Sequence, residues 1–517
     1  MFLGSSAGLA AELFGAPQGA SKDPSPQLEK LAAIALGQAK KLRATYCDVR
    51  INRYRDQNVS IRLSPERGTG RVLEVPGVGE RSSFGFGVRV IVDGAWGFAA
   101  SPVVTPDEIA RITQEAVTVA RASALIKARP IVLAPVKSYR DRWSCPIGKN
   151  PFDVPLEQKL ELLQAAAAEV KKGKQVFGSS ANLSFRSEDK YFASSVGSSI
   201  QQFLVQTFAS LNANAVDVSR GVSRSRSWTP MPLLAGWEHV GTMNFSEHAR
   251  RIREEVVEHL GAPPVKPGRK DLVLMPSHLF LTIHESIGHP TELDRALGYE
   301  ANYAGTSFLT VDKMGKERVG SEIVTFYGDR TYDKGLATCA YDDDGVKTTR
   351  WPIIEKGIFR HYQTIRDQAH LVKEKESRGC SYADSWSSCP FQRMPNVWLA
   401  PGKAETTADD LIAGVEDGVL IEGRGSYSID QQRYNFQFGG DAFWEIRGGK
   451  KRGMVSRVAY QSRTTDFWQA CDGIAGPSFW QQYGSGGDAK GEPTQINSMS
   501  HGCSPARFRQ INVIVTD

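Results

Sequence analysis

No stretch of this 517-residue chain approaches the ~18 consecutive apolar residues of a membrane helix, so no membrane-spanning helix is expected. Charge of one sign is also lacking. The 63 basic and 57 acidic residues leave a formal net charge of +6, too mild and too dispersed for a nucleic-acid-binding surface. Cysteine is scarce: seven residues with no Cys-x-x-Cys pair argue against both a disulfide framework and a closed zinc knuckle. Internal repeats and long low-complexity segments are missing as well. What remains is the composition of a soluble globular protein, 41% hydrophobic and 23% charged. Single cores stop growing near about 250–300 residues, so two large domains are expected.

Residues 1–26 are small and weakly apolar and end in a Pro/Ser-rich link, read as a disordered tail on a cytoplasmic protein. The alternative is a remnant of a twin-arginine-like export signal to the periplasm, truncated at the given start, although Glu12 interrupts its apolar stretch. Residues 27–260 read as an N-terminal α/β domain. Apolar spacing predicts helices over 26–42, 106–125, 155–173 and 246–260, the second opened by Thr105 as cap and Pro106 as first helical residue. Asp93-Gly94 between two β-rich runs predicts a hairpin turn, and 174–216 reads as several short strands. The Pro-, Gly- and Lys-rich stretch 261–270 is the expected linker. Beyond it, 271–517 reads as a β-rich domain carrying one buried helix. Ser277 can cap that helix, and Leu279, Phe280, Ile283 and Ile287 form its apolar face. The acidic run Asp342–Asp344 before Gly345 reads as a turn. The fold class is α+β.

The chemistry concentrates in "HESIGHP", residues 284–290. It resembles the zinc motif His-Glu-x-x-His with one residue too many. On an α-helix, residues five apart differ by about 140°, so His284 and His289 cannot face one ion unless the helix changes. Gly288 in a left-handed conformation, with Pro290 pushing His289 into an extended one, would end the helix and swing the second imidazole back. Glu285 is of the right type to take a proton from a metal-bound water attacking a peptide carbonyl. Two neutral imidazoles with an open position suit a catalytic zinc, and a third ligand is still required. By spacing, His278 lies on the opposite helix face and reads as structural.

The wider segment "HESIGHPTELD" resembles the metal motif of the TldD/PmbA family of metallopeptidases, His-Glu-x-x-x-His followed by a Glu and an Asp, here Glu292 and Asp294. "TVDKMG", "YDDDGVKTTRWPIIEKGIFRHYQT", "RMPNVWLAPG" and "GDAFWEIRGGKKRG" resemble successive family segments in order, so the likeness covers nearly everything from about residue 27. The resemblance implies an N-terminal α/β domain and a C-terminal domain built on a strongly bent antiparallel sheet. It also implies a dimer whose cavity admits unfolded peptides, held as an added strand. Homodimers and heterodimers with a TldE/PmbA-like subunit are both implied, with neither nucleic acid nor membrane as partner.

One position departs from the family. Its third ligand is a cysteine, and the matching stretch "DAKGEP" places Asp488 there. A carboxylate can complete a zinc site, but as a harder donor it also admits manganese or iron. Cys471 and Cys503 flank the segment as rival ligands, while Glu292, Asp294 and His501 are candidates to orient the metal-binding groups. His501 reads otherwise as a structural histidine in a turn. The leading expectation is therefore a one-metal peptidase using His284, His289, Asp488 and Glu285. The alternative is a non-catalytic peptide-binding partner subunit of a TldD/TldE-type complex. A purely structural zinc site fits poorly, because such sites close four protein ligands around the ion.

Overall fold

A computed structural model describes residues 13–14, 23–66 and 71–516. Most of the expected tail or export signal lies outside the described residues. Leu13 and Phe14 within it are buried against α1 (Pro26–Lys41) and neighbouring strands.

The first half builds one sheet in the order β3-β2-β1-β5-β6-β4, with two short strands, β7 (Val222–Trp228) and β8 (Leu233–Leu234), also paired to β6. The strands are β1 (Tyr46–Pro65), β2 (Val72–Val92), β3 (Ala95–Ser101), β4 (Arg140–Ser144), β5 (Val176–Ser194) and β6 (Ser199–Asp217). The Asp93-Gly94 turn forms as expected: both residues have positive φ, 50° and 73°, which matches the twist of a two-residue hairpin. The region read as several short strands is instead the two 19-residue strands β5 and β6.

Alternation along β1 sorts its residues by face. Cys47, Val49 and Ile51 pack under α1 and α2 (Pro106–Ala124), and Val59, Ile61 and Leu63 pack under α3 (Leu156–Lys171) and α4 (Phe245–Gly261). Thr105 caps α2 by accepting a hydrogen bond from the Glu108 amide. The other face of the sheet is polar yet buried, because it docks on the second half of the chain. Arg89 joins Asp48 (2.8 Å) to Asp344 (2.6 Å), and Lys190 meets Asp343 (2.7 Å). The Asp342–Gly345 turn exists, as read, but its three carboxylates are buried. Asp342, pushed up to about 7 by burial and by the neighbouring Asp344, accepts backbone N–H groups from Asp344, Val346 and Ser381.

The second half is organised by a nine-stranded sheet whose centre runs β12-β15-β9-β10-β11. These are β9 (Gly268–Leu274), β10 (Asp417–Glu422), β11 (Ala442–Arg447), β12 (Val458–Arg463) and β15 (Ala506–Val515). The pairing is antiparallel, as expected, at every junction of this sheet but one: β9 and β10 run parallel. The expected linker gives up its last residues to β9, and Val265 within it is buried. Helix α5 (Pro276–Ile283) crosses this sheet with Leu279, Ile283 and Ile287 in the core. Beside it lies a separate two-stranded ribbon, β13 (Gln481–Lys490) with β14 (Gln495–Cys503). No helix among the described residues is long and apolar enough to cross a membrane.

Candidate metal centre

Helix α5 does not end where the sequence suggested. Its cap is Met275, with Pro276 first, and Ser277 uses its hydroxyl to accept the Gly423 amide instead. From His284 to Gly288 the backbone widens into a π-turn, in which the His289 N–H donates to the His284 carbonyl. An i→i+5 bond brings residues five apart onto one face, so the extra residue of the motif is absorbed by the backbone ladder rather than by helix termination. Gly288 (φ −57°, ψ −62°) and His289 (φ −63°, ψ −46°) both stay right-handed, correcting the expected left-handed and extended conformations.

Glycine at 288 makes room for a different neighbour: a β-carbon there would lie 2.5 Å from Met394 Sδ and would push that side chain aside. Pro290 has no N–H with which to extend the π ladder, so a single turn is made. Carbonyls left over are taken by side chains, Thr291 Oγ1 on Ile287 (2.7 Å) and Gln363 Nε2 on Gly288 (2.6 Å).

The two imidazoles stand edge to face with ring centroids 4.4 Å apart. Asp488, from β13, closes the group: its Oδ1 lies 3.6 Å from His284 Nε2 and 3.4 Å from His289 Nε2. All three residues are buried, and their donor atoms lie within 4.8 Å of one another, the one such group among the described residues. Cys471 and Cys503, the rival ligands, are not part of it. Both sit in the apolar core, where burial pushes the Cys471 thiol up to about 12 and the Cys503 thiol higher still.

Hydrogen bonds on the far sides of the rings fix which nitrogens face Asp488. A carbonyl can only accept, so His501 Nδ1 donates to Val397 O (3.1 Å), leaving Nε2 as acceptor for His284 Nδ1–H (2.8 Å). His284 Nε2 is then the nitrogen turned to Asp488. At His289 both Glu292 Oε2 (2.8 Å) and Arg295 Nη2 (2.9 Å) approach Nδ1; with the ionised carboxylate accepting Nδ1–H, Nε2 is the nitrogen turned to Asp488. Burial, reinforced at His289 by Arg295 and at His501 by His284, lowers both of these pKa values and keeps the rings neutral. His501 lies in strand β14, not in a turn, and acts on His284 rather than reaching Asp488. Its replacement by alanine is expected to weaken metal binding about 10–100-fold, the usual loss for such an outer partner, measured by chelator competition.

The carboxylates divide their work. Burial by itself would favour neutral Asp488, and among its neighbours the permanently charged Arg393 helps to outweigh it and to hold the carboxylate well below its usual range. Arg393, fully buried, donates to Asp488 Oδ2 (3.0 Å) and leaves Oδ1 turned to the histidines. Glu292 is similarly held ionised against its burial by Lys490 and Arg295. Asp294 does not touch either histidine. It binds Lys490 Nζ (2.8 Å), which also reaches Glu292 Oε1 (3.0 Å). Glu285 lies beside the histidines in the same cleft, its Oε2 held by Arg433 Nη1 at 2.6 Å.

Four of these partners, Arg295, Arg393, Arg433 and Lys490, were not found by sequence reasoning. Two left a signal: Arg295 directly follows Asp294 of the motif, and Lys490 is two residues from Asp488 and therefore on the same face of β13. The donor set fits a divalent cation. Two imidazole nitrogens and a carboxylate oxygen converge with His–Asp separations of 3.6 and 3.4 Å, a donor set of the kind that holds a catalytic zinc. The cleft above them, about 350 Å³, is walled by Phe280, Tyr303, Tyr427 and Arg424.

Such a centre, two imidazoles and a carboxylate beside a glutamate in an open cleft, belongs to the chemistry of metal-dependent hydrolases. Comparison agrees. The chain matches the models of PmbA/TldA metallopeptidase domain 1 (residues 47–120), central domain (149–260) and C-terminal domain (267–514). It belongs to the TldD/PmbA family of metallopeptidases. A metalloprotease of Methanocaldococcus jannaschii is 27% identical over 83% of this chain and 89% of its own length. A zinc metalloprotease TldD homolog of Saccharolobus solfataricus is 23% identical over 74% and 78%. Among solved structures, TldE from Thermococcus kodakarensis superposes with a TM-score of 0.71 at 18% identity, covering 94% of this chain and 99% of that one.

Proposed function

We propose that the protein is a metal-dependent peptidase that hydrolyses unfolded or extended peptides, with His284, His289 and Asp488 as metal ligands and Glu285 as general base. The observation carrying this reading is the convergence of two tautomer-fixed imidazoles and one carboxylate oxygen beside Glu285. A divalent cation bound there, zinc by family precedent with manganese or iron allowed by the carboxylate, supplies Lewis-acid polarisation of the scissile carbonyl and acidification of water.

The chain's own groups do the rest. Arg433 holds Glu285 Oε2, which leaves Oε1 to accept the proton of the attacking water and later pass it to the departing amine. Arg433 Nη2 is anchored on the Ala304 carbonyl at 3.0 Å, so the pair keeps a fixed position at the cleft wall. Among the described residues, β13 pairs only with β14. Its other edge runs past the centre, with Ser485, Gly487 and Ala489 lining the cleft beside Asp488. An extended peptide added to that edge would satisfy its own backbone groups and bring successive carbonyls past Glu285.

A partner of the same fold, either a second copy or a TldE-like subunit, is part of this proposal. The likeness to TldE supports it, as does the apolar stripe Val72, Leu73, Val75 and Val78 exposed on the β1–β2 hairpin.

The test is hydrolysis of a reduced, unfolded polypeptide beside its folded form. The metal-loaded protein is expected to cut the unfolded chain alone, to stop on chelation and to recover on return of the metal. Cleavage that survives complete metal removal would refute the reading.

A further inference from the structure

A second cleft of about 310 Å³ adjoins the metal centre, lined by Trp228, His248, Arg251, Met275 and Tyr483 among others. The two clefts share Phe280 and Arg424. Both run along β13, the second beside Gln481, Tyr483 and Gly484 and the first beside Ser485 to Ala489. A peptide lying on that edge would pass Arg424 on its way to Glu285.

Arg424 stands apart from the other charged residues of these walls. Arg295 is taken by Glu292, Arg433 by Glu285, and Arg393, behind the wall, by Asp488. In the second cleft, Arg226 is held by Glu255, Glu422 and Asp441, and Arg251 by Glu422. Arg424 is exposed and has no carboxylate or hydrogen-bond partner among the described residues; its guanidinium lies 5.9 Å from the Tyr427 ring centre.

Its backbone is nonetheless fixed. The adjoining Gly423 donates its N–H to Ser277 Oγ (3.1 Å) and accepts from His278 Nδ1 (2.9 Å), both on the helix that carries the metal motif. His278 Nε2 is in turn held by Tyr460 Oη at 2.9 Å. The root of Arg424 is therefore locked in register with His284. A pinned backbone carrying an unpaired guanidinium at the junction of two substrate-sized clefts suits recognition of an anion, and the planar fork of arginine matches a carboxylate.

We propose that Arg424 binds a carboxylate of the peptide substrate, so that the enzyme prefers peptides bearing one near the scissile bond. This rests on the peptidase reading given above. The carboxylate has two sources, the peptide's C-terminus or an Asp or Glu side chain, and one peptide set separates them. The set comprises a neutral peptide with a free C-terminus, its amidated form, and amidated forms in which Glu or Gln is scanned along the sequence.

Wild type is expected to favour carboxylate-bearing peptides about five- to tenfold in kcat/KM, chiefly through KM, with the margin shrinking at high salt because the arginine is exposed. Arg424→Gln collapses that ratio to about one, and Arg424→Lys retains part of it. Preference for the free C-terminus alone, or for Glu over Gln at one position, identifies the source.

The same peptides are titrated by fluorescence anisotropy against Glu285→Gln protein. Carboxylate preference in binding without hydrolysis by wild type would refute the peptidase reading and leave the Arg424 assignment standing. Hydrolysis or binding without carboxylate preference, or a ratio unchanged by Arg424→Gln, overturns the assignment.

Discussion

Replacement of Glu285 by glutamine is expected to reduce kcat for peptide hydrolysis by about 10²–10⁴-fold, the range that a positioned general base contributes. KM and metal content should change little. The amide is nearly isosteric and its oxygen still accepts the Arg433 hydrogen bond, so the buried guanidinium keeps a partner and the cleft keeps its wall. What is lost is the ability to take up a proton. A fall confined to kcat is the signature of an interaction made at the chemical step, whereas a rise in KM alone would move Glu285 into substrate binding. A variant retaining more than a tenth of wild-type turnover would remove Glu285 from the role of base.

The second large effect is expected at Asp488. Asp488→Asn preserves volume and can still accept from Arg393, but it removes the anionic oxygen facing the two imidazoles. Metal affinity should fall by at least the 10–100-fold that outer-partner losses cost, and activity at limiting metal should fall in parallel. Asparagine is the informative choice. Alanine would also leave the fully buried Arg393 without its counter-charge, and breaking such a pair costs about 3–5 kcal/mol, so loss of metal and loss of fold would be confounded. Metal analysis beside circular dichroism reads the two effects separately. A variant that keeps stoichiometric metal with undiminished affinity would exclude Asp488 as a ligand.

Much of this centre was legible in the chain. The residue types of His284, Glu285 and His289 pointed to the chemistry proposed for them, and the angular argument correctly demanded a break in the α-helix. It misjudged the form of the break, because Gly and Pro near a histidine read locally as a helix end. The π-turn depends on contacts distant in sequence: Met394 packed against Gly288, and Gln363 on the Gly288 carbonyl. Local propensity carries none of that. Asp488 was reachable only through a family pattern, since no spacing rule joins a helix to a ribbon strand so far downstream.

The fold shows the same division. Helices with clear apolar stripes fell where expected, as did the Asp93-Gly94 turn. The long strands β5 and β6 were broken up on paper because their Ser, Asn and Gln residues look like turn signals. In the folded chain many of those polar groups lie on a sheet face buried by the second half. The burial of Lys490, Arg393 and Asp342–Asp344 was illegible for a related reason. A charged residue in sequence is presumed solvated, and its burial becomes visible only with the partner that neutralises it.

The central claim is that one divalent cation is held by His284, His289 and Asp488. Anomalous diffraction recorded on either side of the absorption edge of the metal found in the purified protein tests it most directly. The expected result is a single strong peak about 2.0–2.2 Å from Nε2 of both histidines and from the Asp488 carboxylate, absent in crystals of Asp488→Asn grown at limiting metal. A peak at other residues, or none from protein of full metal content, would contradict it.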